Sequence, residues 1–221
     1  MKREVIITSD GSTTIRLLEW NEHYHSKHGA IQEVYHVFIK NGLELFSDNT
    51  VVDILEIGFG TGLNCFITFL EAKKRNLKID YVGVEAYPIK DDEIQKLNYV
   101  EELKASEDRS VFKKIHSTNW NVKEKISGSF VLEKRKQFFE DIEDVGIYNL
   151  IYFDAFGARV QPDLWTENIF KKMYDALKEG GVLVTYAAKG SVRRAMQNVG
   201  FTVEKLAGPP GKREMLRAKK I

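Results

Sequence analysis

Residues 53–64, with the sequence DILEIGFGTGLN, decide the fold, because a short apolar run ends there in a turn with three alternating glycines. The apolar run Val51–Ile57 predicts a buried parallel strand, and residues 63–75 have the length and spacing of a helix. Residues 79–84 predict a second strand, which gives the order strand, helix, strand. We therefore expect an open α/β sheet whose first strand leads into this glycine turn.

The same alternation of strands and helices returns in the second half of the chain. Further strands are predicted over residues 130–135, 148–154, 182–187, 201–205 and 214–218, and helices over residues 163–177 and 191–199. Residues 1–45 predict an N-terminal extension with a β-hairpin around Asp10-Gly11 and an amphipathic helix over residues 30–43. Residues 90–128 predict a polar, largely helical insertion. We expect one domain over residues 1–221.

Composition restricts the class of protein. No apolar run approaches the roughly 20 residues that cross a bilayer, and the start MKREVIITSD lacks the apolar core of a signal peptide. We therefore expect a cytoplasmic protein that does not contact membranes. The single cysteine, Cys65, fits a reducing compartment and is predicted to be a buried helix residue. The net charge of +1 gives no overall field that indicates a polyanionic partner.

The three glycines of the turn permit positive φ angles and remove the Cβ atoms that would keep a ligand away from the backbone. A dinucleotide fingerprint, G-x-G-x-x-G, requires glycine where Leu63 stands, so NAD and FAD are disfavoured. The pattern E-x-G-x-G-x-G resembles motif I of class I S-adenosylmethionine-dependent methyltransferases, which implies that Glu56 lies near the methionine end of the cofactor. Glu85 ends the next strand, where its carboxylate can accept hydrogen bonds from both ribose hydroxyls. A tight turn with no ligand is the alternative.

Asp154 ends the strand YNLIYFDAF and precedes the loop GARVQPDLW, which leads into a helix. Ligands of open parallel sheets bind beyond the carboxyl ends of the strands, so a carboxylate there can face both a cofactor and an acceptor. The role of helix cap suits Asp163 better, because it lies nearer the predicted helical start. Trp165 and Phe170 are predicted to pack this helix rather than to stack on a base. Asp154 is therefore the candidate for chemistry.

Several motifs in the same order resemble the methyltransferase domain of the MnmC family, which finishes 5-methylaminomethyl-2-thiouridine at the wobble position of tRNA. They are DILEIGFGTGLN, VGVEAYP, IYFDAFGARVQPDLWTENIF, GGVLVTYAAKGSVRRAMQNVGF, GPPGKREML and the N-terminal NEHYHSKHGAIQEVYHVFIKNGL. The resemblance covers nearly the whole chain, with residues 90–128 as the main exception. It implies a Rossmann-like class I methyltransferase with a seven-stranded, mostly parallel sheet and helices on both faces. It also implies S-adenosyl-L-methionine as methyl donor and an aminomethyl-uridine in tRNA as acceptor.

The chain departs from the family pattern in two respects. The family usually has proline where Ala158 stands, so we expect a more mobile loop over the substrate. Bifunctional members carry a C-terminal FAD-dependent oxidase, for which 221 residues leave no room. We therefore expect the methyltransferase alone, with a separate FAD oxidase or upstream modification enzymes as candidate partners.

The candidate site residues form three groups. The catalytic candidates are Asp154, which orients the aminomethyl group and helps to remove its proton, and Phe156, which packs on the base. The candidates for the cofactor are Tyr24, His25, Glu56, Gly58, Phe59, Gly60, Thr61, Gly62, Asn64, Glu85 and Ala86. The candidates for phosphates around the anticodon loop are Lys189, Arg193, Arg194, Lys212 and Arg213.

Some of these assignments have alternatives. The basic residues can equally form a solvated surface, and Tyr24 and His25 can equally be structural. His23, His25 and His28 have no cysteine or acidic cluster to complete a ligand set, so no metal is expected.

Two other functions stay open, namely a class I methyltransferase for a small molecule or a protein, and a Rossmann-like binding module without activity. The first shares the cofactor residues and differs in the acceptor region. The second predicts cofactor binding without turnover, against which the presence of Asp154 argues.

Overall fold

The structure is a computed structural model and describes residues 2–221. Its N-terminal part is a small antiparallel sheet of three strands, namely β1 (Arg3–Ile7), β2 (Thr13–Leu17) and β3 (Glu22–His23). β1 and β2 pair in register on either side of the Asp10-Gly11 turn, so the predicted hairpin is confirmed.

The helix after this sheet differs from the predicted one. It starts as α1 (Ala30–Val34) and continues in wider π-helical turns over Tyr35–Lys40. It ends at Lys40 rather than at residue 43, because the Asn41 side-chain amide donates to the carbonyl oxygen of His36 and caps the last turn. A short 3₁₀ turn, Leu43–Leu45, leads from there to the main sheet.

The main sheet has eight strands and is mostly parallel. The strands are β4 (Val51–Ile57), β5 (Lys78–Val84), β6 (Lys123–Lys125), β7 (Phe130–Arg135), β8 (Tyr148–Phe153), β9 (Leu177–Thr185), β10 (Thr202–Ala207) and β11 (Glu214–Lys219). Their spatial order is β10-β11-β9-β8-β4-β5-β7-β6, with β6, β10 and β11 antiparallel to their neighbours. The chain leaves β4 toward β5 and returns to its other side with β8. This reversal places a ligand-binding crevice at the carboxyl ends of β4 and β8.

Helices cover both faces of this sheet. Besides α1 they are α2 (Leu63–Lys74), α3 (Asp91–Ile94), α4 (Tyr99–Glu102), α5 (Arg109–Ser117), α6 (Glu167–Ala176) and α7 (Gly190–Asn198). Consecutive residues of β4 bury on opposite faces: Ile54 packs in the cluster beneath α2, and Leu55 in the cluster beneath α6 and α7. Cys65, Trp165 and Phe170 lie in these clusters, as predicted. No helix in residues 2–221 is long and apolar enough to span a bilayer.

Three details of the predicted elements were wrong. The sheet has eight strands rather than seven, because β6, a charged KEK segment, pairs antiparallel with β7. β9 begins at Leu177 rather than at residue 182, because Leu177 pairs with Tyr148 and the register shifts between Tyr148 and Leu150. Asp163 does not cap a helix. It lies inside the 3₁₀ turn Pro162–Trp165, and α6 begins only after Thr166.

Candidate active site

The turn after β4 places two glycines with positive φ angles at the crevice. Gly58 has a φ of +91°, and a Cβ atom there would lie 2.7 Å from the carbonyl oxygen of Asp154. Gly60 has a φ of +48°, and its Cβ would lie 2.9 Å from the ring of Tyr24. Both positions therefore require glycine. The Asp154 amide also donates to the Ile57 carbonyl oxygen at 2.9 Å, which ties the tips of β8 and β4 together.

Glu85, at the tip of β5, lies beside this turn. Its carboxylate accepts from the backbone amides of Gly60 at 3.2 Å and of Tyr87 at 2.9 Å. Burial raises its pKa, while these two hydrogen bonds act in the opposite direction. The carboxylate is thus held beside the glycine turn by two backbone amides.

Asn64, at the start of α2, joins two carboxyl groups at the floor of the crevice. Its Nδ2 donates to Glu56 Oε1 at 2.8 Å and to Asp154 Oδ2 at 2.9 Å. The Tyr81 hydroxyl donates to the second Glu56 oxygen at 2.8 Å. Asn64 is 2% exposed, and its Oδ1 has no hydrogen-bond partner among residues 2–221. A buried acceptor without a partner marks a position where a ligand donor fits.

The electrostatics of the crevice favour protonation of its acids. Burial, and then the charge of Glu33, raises the pKa of Asp154 to about 7, although the Asn64 hydrogen bond and Lys212 lower it. Burial also raises the pKa of Glu56 well above its usual range. Asp154 therefore changes its charge near neutral pH, where a proton acceptor is most useful.

Three aromatic side chains, those of Trp20, Tyr24 and Phe156, line the same cleft as Asp154. The ring centroid of Phe156 lies 5.0 Å from that of Tyr24 and 5.9 Å from that of Trp20, both edge to face. Arg159 fastens this part of the chain to the N-terminal sheet, because its guanidinium donates to Glu22 at 2.7 Å and to the Trp20 carbonyl at 3.1 Å. Sequence reasoning missed Trp20, which lies between β2 and β3 and belongs to no periodic pattern.

Ten of the eleven predicted cofactor residues line one cleft of about 2680 Å³ together with Asp154 and Phe156. This volume exceeds the roughly 300–1,000 Å³ of an ordinary small-ligand pocket, so it has room for a donor and a nucleotide acceptor. Gly62 is the exception, since it packs against the ring of His116. Thr61 is buried and accepts from the Tyr99 hydroxyl at 3.0 Å.

The three N-terminal histidines have different environments. His25 is buried, its Nδ1 lies 3.2 Å from the Thr14 hydroxyl, and burial lowers its pKa to about 4. His28 is exposed and packs against Gly211, and His23 is half-buried. Within residues 2–221, no three His, Cys, Asp or Glu side chains are grouped so as to hold a metal ion.

The five predicted basic residues are only partly brought together. Lys189, Lys212 and Arg213 line the cleft, whereas Arg193 and Arg194 on α7 do not. Lys212 is already paired, with its Nζ 2.6 Å from Glu33 Oε1. Of the other four, Lys189, Arg194 and Arg213 are exposed and Arg193 is half-buried.

A family model described as S-adenosyl-L-methionine-dependent methyltransferase matches residues 101–221, more than half of the chain. This chain belongs to that family. Sequence comparison also aligns the methyltransferase with proteins named "tRNA 5-methylaminomethyl-2-thiouridine biosynthesis bifunctional protein MnmC". The relative from Leptospira borgpetersenii is 31% identical over 212 residues, and that from Paraburkholderia xenovorans is 28% identical over 213. Each alignment covers 89% of this chain and 32% of the relative, so the chain spans about a third of their length.

Solved structures agree on the fold of the methyltransferase. The crystal structure of MNMC2 from Aquifex aeolicus superposes with a TM-score of 0.77 at 24% identity and covers 98% of this chain and 70% of that one. Spermidine synthase from Thermotoga maritima gives a TM-score of 0.59 at 13% identity, over 99% and 68% of the two chains. The Rossmann-like class and the resemblance to MnmC are therefore confirmed.

The residues of the crevice fit the cofactor that the family requires. Gly58 and Gly60 line the cleft with backbone that adopts positive φ angles, and the Glu85 carboxylate accepts from the Gly60 amide beside them. Asn64 Oδ1 offers a free buried acceptor in the same cleft. The expected cofactor, S-adenosyl-L-methionine, is thus supported by the family and by the shape of the site.

Proposed function

We propose that this methyltransferase methylates the aminomethyl nitrogen of 5-aminomethyl-(2-thio)uridine at the wobble position of tRNA. One observation carries the proposal: Asp154 and the glycine turn are joined at the tips of β8 and β4, within a sequence that is 31% identical to MnmC over 89% of the chain. A methyl donor on the turn and an amine acceptor at Asp154 are then neighbours.

The cofactor is held by the residues around the glycine turn. Glu85 would accept hydrogen bonds from the ribose hydroxyls, Gly58 and Gly60 would let the nucleoside approach the backbone, and Glu56 and Asn64 would hold the methionine part. When bound, S-adenosyl-L-methionine supplies an electrophilic methyl group on a sulfonium sulfur. The enzyme's main contribution is then to hold the attacking nitrogen in line at close range.

The acceptor amine must lose a proton before it can attack. An alkylamine has a pKa of about 10 in water, so it enters the cleft as an ammonium ion. The Asp154 carboxylate attracts this ion, orients it and takes up one of its protons. Exclusion of water by Phe156, Tyr24 and Trp20 lowers the pKa of the amine, since burial disfavours its charged form. Phe156 also packs on the uracil ring.

At the edge of the cleft and along α7, basic side chains neutralise the phosphates of the anticodon loop. Lys189 and Arg213 border the cleft, and Arg193 and Arg194 extend the positive surface along α7. Binding that depends on such contacts weakens strongly with salt, because counterions are released when the phosphates are neutralised.

The pH dependence of the reaction follows from Asp154. Its pKa is raised to about 7, so the carboxyl is protonated below that pH and cannot accept the proton of the amine. We expect kcat/KM to rise with pH and to reach half of its plateau near pH 7. The measurement is a profile of initial rates from pH 5.5 to 9 with saturating donor. A flat profile would remove Asp154 as the proton acceptor.

Mass spectrometry of tRNA nucleosides from cells with and without this protein tests the proposed substrate. We expect the 5-aminomethyl-uridine nucleoside to accumulate when the protein is deleted and its methylated product to disappear. An unchanged nucleoside profile would contradict the proposal and would favour a methyltransferase for a small molecule or a protein.

A further inference from the structure

The cleft contains an ion pair that the proposed chemistry leaves without a role. Lys212, in the loop before β11, places its Nζ 2.6 Å from Oε1 of Glu33 on α1. The other oxygen of Glu33 accepts from the Ser26 amide at 2.8 Å. The Glu33 side chain is only 6% exposed and that of Lys212 is 33% exposed. The Glu33 carboxylate is therefore shielded from solvent and held by two partners, whereas Lys212 is partly exposed.

This pair is connected to the backbone that carries Asp154. The Lys212 ammonium lies 3.7 Å from the ring centroid of Tyr186, a cation–π contact. The Tyr186 hydroxyl donates to the carbonyl oxygen of Ala155 at 2.8 Å, one residue after Asp154. Glu33, Lys212, Tyr186 and Asp154 all line the same cleft. Three distant parts of the chain are thus linked, contact by contact, to the backbone carbonyl of the residue after Asp154.

We propose that Glu33 and Lys212 are positioning residues that set the charge of Asp154, with opposite effects, and that Lys212 does not bind tRNA phosphate. The inference rests on the proposed role of Asp154 as proton acceptor. The two acids and one base of this cluster carry a net charge of −1 when all are ionised, which complements the single charge of an ammonium acceptor. The negative charge of Glu33 disfavours ionisation of Asp154. The positive charge of Lys212 offsets this repulsion, so that Asp154 can lose its proton.

The sign of each effect follows from the charges that face Asp154. Glu33 from α1 disfavours the Asp154 carboxylate, and Lys212 from the loop before β11 favours it. Glu56 from β4 is a buried acid that is present in every variant compared, and burial raises the pKa of the Tyr186 phenol after β9, so that phenol stays uncharged near pH 7. Asn64 from α2 donates a hydrogen bond and has no charge. Glu33 and Lys212 are therefore the two groups whose removal changes the balance.

The experiment is a titration of the Asp154 side-chain carboxyl by ¹³C NMR in the full chain, with the signal assigned by its loss in Asp154→Asn. We expect Lys212→Met to raise the midpoint by about 0.5 pH unit or more, and Glu33→Gln to lower it by a similar amount. The double variant is expected to titrate near the wild-type midpoint, because it removes one charge of each sign. Lys212→Arg, which keeps the charge, is expected to restore most of the wild-type value.

A matched control is Lys178→Met, which breaks an ion pair of the same 2.6 Å length with Asp53 at the opposite end of the sheet. It is expected to leave the Asp154 midpoint unchanged. A merely structural pair would lower the melting temperature in both single variants without opposite shifts of the midpoint. Shifts in the same direction, or no shift in variants that remain folded, would overturn the inference.

This titration is independent of the substrate. If the midpoints shift as expected but no tRNA is methylated, the pair sets the charge of Asp154 and the proposed acceptor is wrong. If tRNA is methylated and the midpoints do not move, the proposed function stands and the role of the pair is refuted. When both hold, the acid limb of kcat/KM is expected to move with the midpoint in each variant.

Discussion

Asp154→Asn is expected to lower kcat for methyl transfer by about 10²–10⁴-fold, the usual contribution of a positioned general base. The amide has the size of the carboxylate and can still accept from Asn64, but it cannot take up a proton or attract an ammonium ion. The affinity for S-adenosyl-L-methionine is expected to stay within about twofold, because the proposed cofactor contacts come from the end of β4 and the turn after it, the start of α2 and the tip of β5. Steady-state kinetics and calorimetry on the same preparation measure the two quantities.

Asp163→Asn is the control for this substitution, since Asp163 is an exposed carboxylate in the loop that follows Asp154. It is expected to retain wild-type kinetics. If Asp154→Asn kept full turnover, another group would have to accept the proton. If it instead lost cofactor binding, Asp154 would belong to the donor site rather than to the acceptor site.

Glu85→Ala is expected to weaken the binding of S-adenosyl-L-methionine by about 10- to 100-fold, which is the usual worth of hydrogen bonds to a charged group. The substitution removes the proposed acceptor for the ribose hydroxyls and also the hydrogen bonds that Glu85 receives from the Gly60 and Tyr87 amides. The loss of affinity therefore also reflects a less ordered glycine turn. Isothermal titration calorimetry measures the affinity.

Asp80→Ala is the matched control, because Asp80 is an acid near the start of the same strand, β5, and is far from the turn. It is expected to bind the donor as the wild type does. Equal affinity of Glu85→Ala and the wild type would show that the ribose is held elsewhere.

The cofactor side of the site was predictable because its residues follow from strand ends. A glycine turn after β4, an acid after β5 and an acid after β8 each mark the end of an apolar run, and parallel strands present these ends at one edge of the sheet. Glu85 and Asp154 were expected at this edge from the strand ends and Glu56 from the resemblance to motif I, and neither expectation needed knowledge of side-chain packing. The cleft that contains all three follows from the same topology.

The acceptor side was less predictable because its residues come from distant segments. Glu33 is one of many polar residues on a helix, Trp20 lies in a short turn, and Lys212 looks in sequence like any member of a basic run. Only the folded chain brings Glu33 and Lys212 into contact across 179 positions. β6 escaped notice for a related reason, since three charged residues at a sheet edge carry no apolar pattern.

The most direct test of the account is transfer of a labelled methyl group from S-adenosyl-L-methionine by the purified protein to tRNA that carries 5-aminomethyl-uridine. Digestion to nucleosides then shows where the label resides. The account predicts label in the 5-methylaminomethyl-uridine nucleoside with the wild type, and about 10²–10⁴-fold less with Asp154→Asn. Absence of label from that nucleoside with the wild type, or equal labelling by the two proteins, would contradict it.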